Sequence, residues 1–199
     1  MDNVDELVRT LKEEKRPTER RRAAIQLGKL GGGGDKAIYA LLNALADSDG
    51  DVRHYAGEAL RSAGPSVGKV VPKLIEAFKT AAPNIRLVAA HALKKLGPVA
   101  VKAVPVLVAG LKDPDAELRR MAALALAGIG SGAHKAVVAL GRLTDDPDSD
   151  VRWAACHALG AIGQKAAKAL PALAKATEDR HPDIRAAAKD AVRKVQTAT

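Results

Sequence analysis

Residues 151–163 read Val-Arg-Trp-Ala-Ala-Cys-His-Ala-Leu-Gly-Ala-Ile-Gly, and this stretch decides the fold. Its apolar residues follow the steps of three, four and seven that place side chains on one face of an α-helix: Val151, Ala155, Ala158, Leu159 and Ile162. Gly163 then provides the stop that often follows the last turn of a helix. The stretch therefore predicts an amphipathic helix with one buried face.

The same pattern recurs every 33 residues along the chain of 199. An arginine marks each copy, with alanine three residues later and leucine or valine seven residues later: Arg20, Arg53, Arg86, Arg119, Arg152 and Arg185. A second apolar helix is predicted before each copy, with leucine in one column in five of them: Leu41, Leu74, Leu107, Leu140 and Leu173. Such units bury their apolar faces only by stacking on one another. The sequence predicts an all-α solenoid forming one domain over residues 1–199, with repeats of about 1–31, 32–64, 65–97, 98–130, 131–163 and 164–199.

Carboxylates cluster in the turn inside each repeat. Residues 113–115 and 146–148 both read Asp-Pro-Asp, which places aspartate at the N-cap of the helix that follows. The repeated arginine is expected to pair with a carboxylate six residues earlier, since its forked donors suit that role, rather than to form a phosphate-binding stripe: Glu14, Asp47, Asp113, Asp146 or Asp179. Thr80 replaces this acid in the third repeat. Arg86 is therefore expected to lack its partner, and the turn 80–83 to be the loosest.

The motif Asp-Pro-Asp-x-Asp-Val-Arg-x-x-Ala-x-x-Ala-Leu-x-x-Ile-Gly resembles the HEAT repeat, in particular the variety of phycobilisome-lyase-like (PBS lyase) proteins. The resemblance covers residues 1–196 and implies a right-handed α–α superhelix. It implies that the first helix of each repeat (A) is convex, over about 2–14, 35–46, 67–79, 100–112, 133–144 and 166–177. The second helix (B) is then concave, over about 17–30, 50–63, 83–96, 116–129, 149–162 and 182–196.

Composition narrows the classes of protein and leaves nucleic-acid binding open as an alternative. The formal net charge is +9, but 32 basic residues are interspersed with 23 acidic ones and no five like charges adjoin. No apolar run approaches the roughly 20 residues that span a bilayer, and the acidic N-terminus does not resemble a secretory signal. The single cysteine excludes an intramolecular disulfide framework. A cytoplasmic protein is expected, and a monomer is favoured.

Columns that vary between repeats are free to serve a partner, whereas constant columns are explained by the shared fold. The variable B-helix columns hold an apolar and aromatic set, which predicts a groove for a protein or peptide: Tyr55, Leu87, Val88, His91, Arg120, Met121, Leu124, Trp153 and His157. For Val88 and Met121, filling gaps between successive B helices is an equal alternative. A basic alternative site for nucleic acid comprises Arg20, Arg21, Arg22, Lys29, Lys95 and Arg120. It includes a lysine column predicted at the A-helix starts: Lys36, Lys69, Lys102, Lys135 and Lys168.

Catalytic residues, a metal site and a cofactor are not predicted. Gly31–Gly34 lacks the Gly-Lys-Ser/Thr ending of a phosphate loop and is expected to be a flexible connector. No histidine precedes a glutamate, as the di-iron site of the similarly folded deoxyhypusine hydroxylase requires, and four aromatic residues suit the HEAT-like DNA glycosylases poorly. Cys156 is expected to be a packed small residue. A phycobilin-lyase-like chaperone remains an alternative through the family resemblance, and an engineered repeat protein is a further one.

Overall fold

The computed structural model describes residues 3–31, 34–45, 47–62, 70–80 and 83–197, and the regular structure in these ranges is helical. The A helices are α1 (Val4–Glu13), α3 (Asp35–Ala44), α5 (Val71–Thr80), α7 (Val104–Gly110), α9 (Val137–Leu143) and α11 (Leu170–Ala176). The B helices are α2 (Pro17–Lys29), α4 (Gly50–Ser62), α6 (Pro83–Leu96), α8 (Ala116–Ile129), α10 (Ser149–Ile162) and α12 (Pro182–Gln196). This alternation confirms the all-α repeat solenoid.

The chain divides into two compact units, residues 1–74 and residues 75–199. In the first unit, α2 packs against α1 and α4. In the second, each B helix packs against the next in the order α6, α8, α10 and α12. The leucine column forms the core of the second unit, where its members are completely buried: Leu107, Leu140 and Leu173. The single domain over residues 1–199 stays a prediction.

Three A helices begin later than the resemblance implied. Segments of 3₁₀ helix occupy Gly97–Ala103, Gly130–Ala136 and Gly163–Ala169, so the following α-helices begin at residues 104, 137 and 170. Each segment starts at a glycine with a φ of 60–69°, a conformation that glycine adopts without steric cost. With three residues per turn, the 3₁₀ coil places alanines three apart on one side, and these pairs are buried: Ala100 and Ala103, Ala133 and Ala136, Ala166 and Ala169.

The lysine column therefore differs from its prediction. Lys102, Lys135 and Lys168 are exposed within the 3₁₀ segments that precede the A helices, and not in the first turn of those helices. Lys36 is in the first turn of α3, exposed, with its Nζ 3.4 Å from Asp5 Oδ1. Lys69 lies outside the described residues.

The intra-repeat turns cap the B helices as predicted. Asp115 accepts a hydrogen bond from the backbone N–H of Glu117 at 2.9 Å, and Asp148 accepts from Asp150 and Val151 at 2.9 and 3.1 Å. These bonds satisfy donors that have no partner within the first helical turn. The N-caps are thus set by local sequence.

The repeated arginines bind carboxylates, but not the carboxylates that their spacing indicated. Each of four arginines reaches the aspartate 27 residues later, in the next repeat, at 2.6–2.8 Å: Arg20 to Asp47, Arg86 to Asp113, Arg119 to Asp146, and Arg152 to Asp179. Toward their own turn, Arg20, Arg119 and Arg152 donate from Nη1 to the backbone carbonyl six residues earlier. The guanidinium therefore joins two successive repeats, because its donors are divided between two turns.

Arg86 has the acid partner that it was expected to lack. Its Nη2 lies 2.6 Å from Asp113 Oδ2, while its Nε donates to the carbonyl of Phe78 at 2.9 Å and its guanidinium stacks over the Phe78 ring. In the sequence, Thr80 stands 27 residues after Arg53, the spacing at which four other repeated arginines have an aspartate. The donors of Arg53 go to the carbonyls of Asp47 and Ser48 at 2.7 and 2.9 Å. The turn at 80–83 that was expected to be the loosest, and the flexible connector expected at Gly31–Gly34, fall partly outside the described residues.

Small residues allow the B helices to approach closely. A Cβ on Gly128 would lie 2.5 Å from the carbonyl oxygen of Lys94, and one on Gly160 would lie 3.1 Å from the Cα of Ala191. Cys156 is completely buried in the same helix as Gly160. Larger side chains at these points would separate the helices, so the scarcity of aromatic residues is a condition of this packing.

One helical stretch, residues 116–143, is long and apolar enough by composition to cross a membrane. It consists of α8, a 3₁₀ segment and α9, and half of its most apolar window is buried inside the protein. The positive φ of Gly130 turns the chain in the middle of the stretch.

Candidate binding face

The B-helix face of the second unit is defined here by the side chains one, five and nine residues after each repeated arginine. On α6 these are Leu87, His91 and Lys95, all half-buried, and on α12 the last of them is the exposed Lys194. Steps of four residues keep these positions on one side of each helix. Successive B helices adjoin, so the face runs across four repeats.

Most of the predicted groove residues of this unit are accessible to some degree. Leu87, Val88, His91 and Trp153 are half-buried, and His157 is exposed. The column two residues after the arginine runs deeper than the column one residue after it, because Ala154 is completely buried beside the half-buried Trp153.

Met121 and Leu124 do not line an open groove, and their prediction as surface anchors is corrected. Each side chain is only 7% exposed. Both lie on α8, which packs against α6 on one side and α10 on the other. These two side chains are covered by the adjacent helices, which for Met121 is the gap-filling alternative.

Trp153 and His157 form a stacked pair one helical turn apart. Their ring centroids are 5.1 Å apart and the planes differ by 5°. Although much of the His157 side chain is exposed, partial desolvation of the imidazole and the charges of Lys194 and Lys94 lower its pKa from the usual value of 6.5. His157 is therefore neutral at pH 7, and the pair presents a flat, uncharged aromatic surface.

A cavity of about 250 Å³ lies beside Trp153, between the N-terminal ends of α10 and α12. It is lined by Ser149, Asp150, Trp153, His181, Asp183 and Ile184. The aspartates are exposed, whereas Ile184 is 2% exposed and forms part of the core. The cavity thus combines an indole, an apolar base and two carboxylates.

Basic side chains gather where the C-terminal end of α6 lies near Arg120 of α8. Burial lowers the pKa of Lys94, and the neighbouring charges of Lys95 and Arg120 lower it further. Arg120 is itself held by Glu117, with nitrogen–oxygen distances of 2.7 and 2.6 Å. Among the described B helices of this unit, α8, α10 and α12 thus have a carboxylate in the first turn, whereas only α6 and α12 have basic residues in the last turn.

The first unit carries its own part of the predicted residues. Tyr55 is half-buried, its ring meets the His54 ring edge-on at 5.2 Å, and it lines a cavity of about 330 Å³ with Ile25 and Lys29. Of the basic alternative, Arg20 binds Asp47 and Arg21 binds Asp51 at 2.9 Å, while Arg22 and Lys29 are exposed. Much of the arginine charge there is thus neutralised by the chain itself.

Groups suited to covalent or metal chemistry are not assembled in the part of the chain that the structure describes. Burial raises the pKa of the Cys156 thiol to about 12, so the thiolate that would react is disfavoured. No three His, Cys, Asp or Glu side chains among the described residues come together as a set that could hold a metal ion. Cys156 occupies a position where a small side chain is needed.

Sequence reasoning missed Asp150 and Asp183 as parts of a site. Their positions in the first turns of B helices were explained by the helix dipole, which favours acids there. A change between repeats could have indicated them. The residue three positions after the first-turn acid is Arg120 in the fourth repeat and Trp153 in the fifth.

Comparison with known proteins agrees with this architecture. The sequence matches the model of HEAT repeats over residues 38–111 and 104–193, and the model of the PBS lyase HEAT-like repeat over residues 19–47. A search of curated proteins found no match.

Several solved structures share the fold. The chain is 26% identical to an engineered protein, with a TM-score of 0.61, over 98% of this chain and 97% of that one. It is 20% identical to a designed armadillo repeat protein in complex with the peptide (KR)4, with a TM-score of 0.58, over 98% of this chain and 100% of that one. It is 24% identical to the complex of CpcE and CpcF of phycocyanin lyase from Nostoc sp. PCC7120, with a TM-score of 0.50, over 94% of this chain and 75% of that one.

The likeness to the armadillo and lyase structures is one of fold alone at these identities. The matches to the HEAT-repeat model, in contrast, together span residues 38–193 of the 199. This chain therefore belongs to the HEAT-repeat family.

Proposed function

We propose that the chain is a non-enzymatic scaffold that binds a segment of a partner protein on its B-helix face. The observation that carries this proposal is the stacked pair of Trp153 and His157 beside the cavity at the ends of α10 and α12. A partly exposed tryptophan next to a concave surface is the kind of anchor that dominates protein–peptide binding. The half-buried Leu87 and Val88 extend the apolar surface toward α6.

The armadillo structure described above contains a bound peptide, which supports peptide recognition as a use of such solenoids. Recognition by a rigid, preformed surface also limits the ordering cost of binding to the peptide itself. These arguments favour an extended peptide over a small molecule, because the face spreads over several helices.

The test first selects peptide ligands and then substitutes the anchor residue Trp153. Peptides enriched from a random displayed library on the wild-type protein are measured by fluorescence anisotropy against Trp153→Asp and against Val138→Asp. Val138 is 58% exposed on the A helix α9, so it controls for adding an acid to an apolar surface position. We expect Trp153→Asp to weaken binding at least tenfold, as loss of a buried aromatic anchor does, and Val138→Asp to leave it unchanged.

Circular dichroism of both variants checks that helical content is retained. Equal affinity of wild type and Trp153→Asp for every enriched peptide would contradict the assignment of the face. Failure to enrich any peptide would contradict peptide binding itself.

Nucleic-acid binding is the second candidate, and the cluster of Lys94, Lys95 and Arg120 is the observation in its favour. Association through phosphates would weaken steeply as salt is added. The measurement is retention of DNA or RNA at low salt, comparing wild type with Lys94→Gln/Lys95→Gln. Absence of retention at low salt would eliminate this candidate.

A further inference from the structure

We propose that the cavity beside Trp153 takes the arginine side chain of a partner peptide, with the guanidinium against the indole and between the carboxylates of Asp150 and Asp183. The inference rests on the proposed function and names the chemistry of the partner. It comes from comparing equivalent positions in different repeats of this chain.

The chain already binds arginine at this position twice. The column one residue after the repeated arginine contains Arg21 and Arg120. Arg120 is held by Glu117 in the first turn of its own helix, at 2.7 and 2.6 Å. Arg21 is held by Asp51 in the first turn of the next B helix, at 2.9 Å. First-turn carboxylates of the B helices thus act as arginine acceptors from either side of this column.

In the fifth repeat the column holds Trp153 instead, and both acceptors are kept. Asp150 is the equivalent of Glu117, and Asp183 is the same residue position one repeat later. The structure records no ion pair or side-chain hydrogen bond to either carboxylate among residues 83–197. Trp153 stands at the position that Arg120 has in the fourth repeat, and it lines a cavity of about 250 Å³ together with both carboxylates.

The chemistry of the lining favours a guanidinium. His157 stacks on the indole of Trp153, and the indole also lines the cavity. A guanidinium stacks on tryptophan by cation–π attraction and can donate forked hydrogen bonds to carboxylates, whereas an ammonium is a compact point charge that is more strongly hydrated. His157 is uncharged at pH 7 because its pKa is lowered, so it does not repel the incoming cation.

Arg120, the arginine at the equivalent position of the preceding repeat, is already engaged by its own helix. Asp150 is close enough to Arg120 to raise the pKa of that guanidinium, but both side-chain hydrogen bonds of Arg120 go to Glu117. An arginine from a partner would therefore give Asp150 and Asp183 the kind of cation that Glu117 and Asp51 already bind within the chain.

The test uses an acetylated octapeptide of alternating lysine and arginine as the probe, titrated at moderate salt. Two matched peptides replace every arginine by citrulline or by lysine. Trp153 is the sole tryptophan of the sequence, so its emission reports occupation of the cavity directly. We expect a saturable change in emission with the arginine peptide, at least tenfold weaker binding of the citrulline peptide, and an intermediate affinity for the lysine peptide.

Two double variants separate the cavity from general electrostatic attraction. Asp150→Asn/Asp183→Asn removes the proposed acceptors. As a control, Asp145→Asn/Glu178→Gln removes an equal negative charge from other exposed positions in the same two repeats. We expect the first to weaken the arginine peptide at least tenfold and the second to change it less than twofold. Equal effects of the two, equal binding of the citrulline peptide, or an unchanged emission would overturn the proposal.

Circular dichroism checks the fold of the variants, and Asp183→Asn alone replaces the double variant if the latter unfolds. The outcome is distinct from that of the proposed function. The inference would be overturned if the enriched library peptides require Trp153 but contain no arginine, and if the octapeptide does not bind. That outcome would still support the peptide-binding scaffold. If no library peptide is enriched and the octapeptide does not bind, both the proposed function and this inference are contradicted.

Discussion

Replacing Asp179 by alanine removes a carboxylate that joins the last two repeats. Asp179 accepts two bonds from Arg152, with Nε to Oδ2 at 2.7 Å and Nη2 to Oδ1 at 3.2 Å. The two side chains are 11% and 8% exposed. In the variant, Arg152 keeps its bonds to the carbonyls of Asp146 and Pro147 at 2.9 and 3.2 Å but loses its counterion.

The loss of unfolding free energy follows from that geometry. Hydrogen bonds to charged groups contribute about 1.5–3 kcal/mol, and leaving one member of a buried pair alone costs about 3–5 kcal/mol. Because the pair keeps some contact with water, we expect a loss of about 2–4 kcal/mol for Asp179→Ala. Asp145 is the control, since its 2.8 Å pair with Lys175 is 59% and 70% exposed. Asp145→Ala should cost less than about 1 kcal/mol.

The difference should also depend on pH with a definite sign. The hydrogen bond from Arg152 holds the pKa of Asp179 below its ordinary value of 3.8. A carboxyl with a depressed folded-state pKa contributes stability that is complete above the ordinary value and is lost as the pH falls through the depressed one. The gap between wild type and Asp179→Ala should therefore be constant near neutral pH and close below the ordinary pKa.

The assay is urea unfolding followed by far-ultraviolet circular dichroism, at neutral pH and at steps into the acid range. Losses of similar size for Asp179→Ala and Asp145→Ala at neutral pH would refute the argument that burial makes the first pair matter. A gap that stays constant into the acid range would refute its assignment to the ionised carboxylate.

Three further predictions address packing and the aromatic pair. Gly128→Ala should lower the unfolding free energy by about 1–3 kcal/mol in urea unfolding, because its Cβ would lie 2.5 Å from the carbonyl oxygen of Lys94. Cys156 should resist thiol reagents in the native state and react after unfolding, because burial raises its pKa to about 12. The emission of Trp153 should titrate with a midpoint below 6.5 as His157 becomes protonated on its indole.

Each of these has a control in the chain. Gly141→Ala should not destabilise, since its Cβ would make ordinary contacts at 3.6 and 3.8 Å and alanine favours the helix; destabilisation equal to that of Gly128→Ala would contradict the clash. Modification of native Cys156 at the rate of the unfolded chain would contradict its burial. His157→Gln should abolish the emission titration, and its persistence in that variant would assign it to another group.

Local features could be predicted from the sequence because they depend on residues within one or two helical turns. The core face of α10, the N-caps at Asp115 and Asp148 and the buried position of Cys156 all belong to this class. The spacing of 33 residues added the one long-range fact that each unit stacks on a copy of itself. That was enough for the fold, because a repeat contacts chiefly its neighbours.

Only the tertiary structure decided which neighbour each side chain meets. Arg152 reaches the acid 27 residues later and not the one six residues earlier, because stacking brings the next turn to its fork and leaves only backbone oxygen in its own. Leu124 is buried while His157 in the same column is exposed, since the helices flanking each position differ in the side chains they present. The cavity at Trp153 likewise exists between two helices. The periodicity of apolar residues predicts which face of a single helix is buried. A site between repeats depends on the distance between two such faces, and the sequence pattern does not contain that distance.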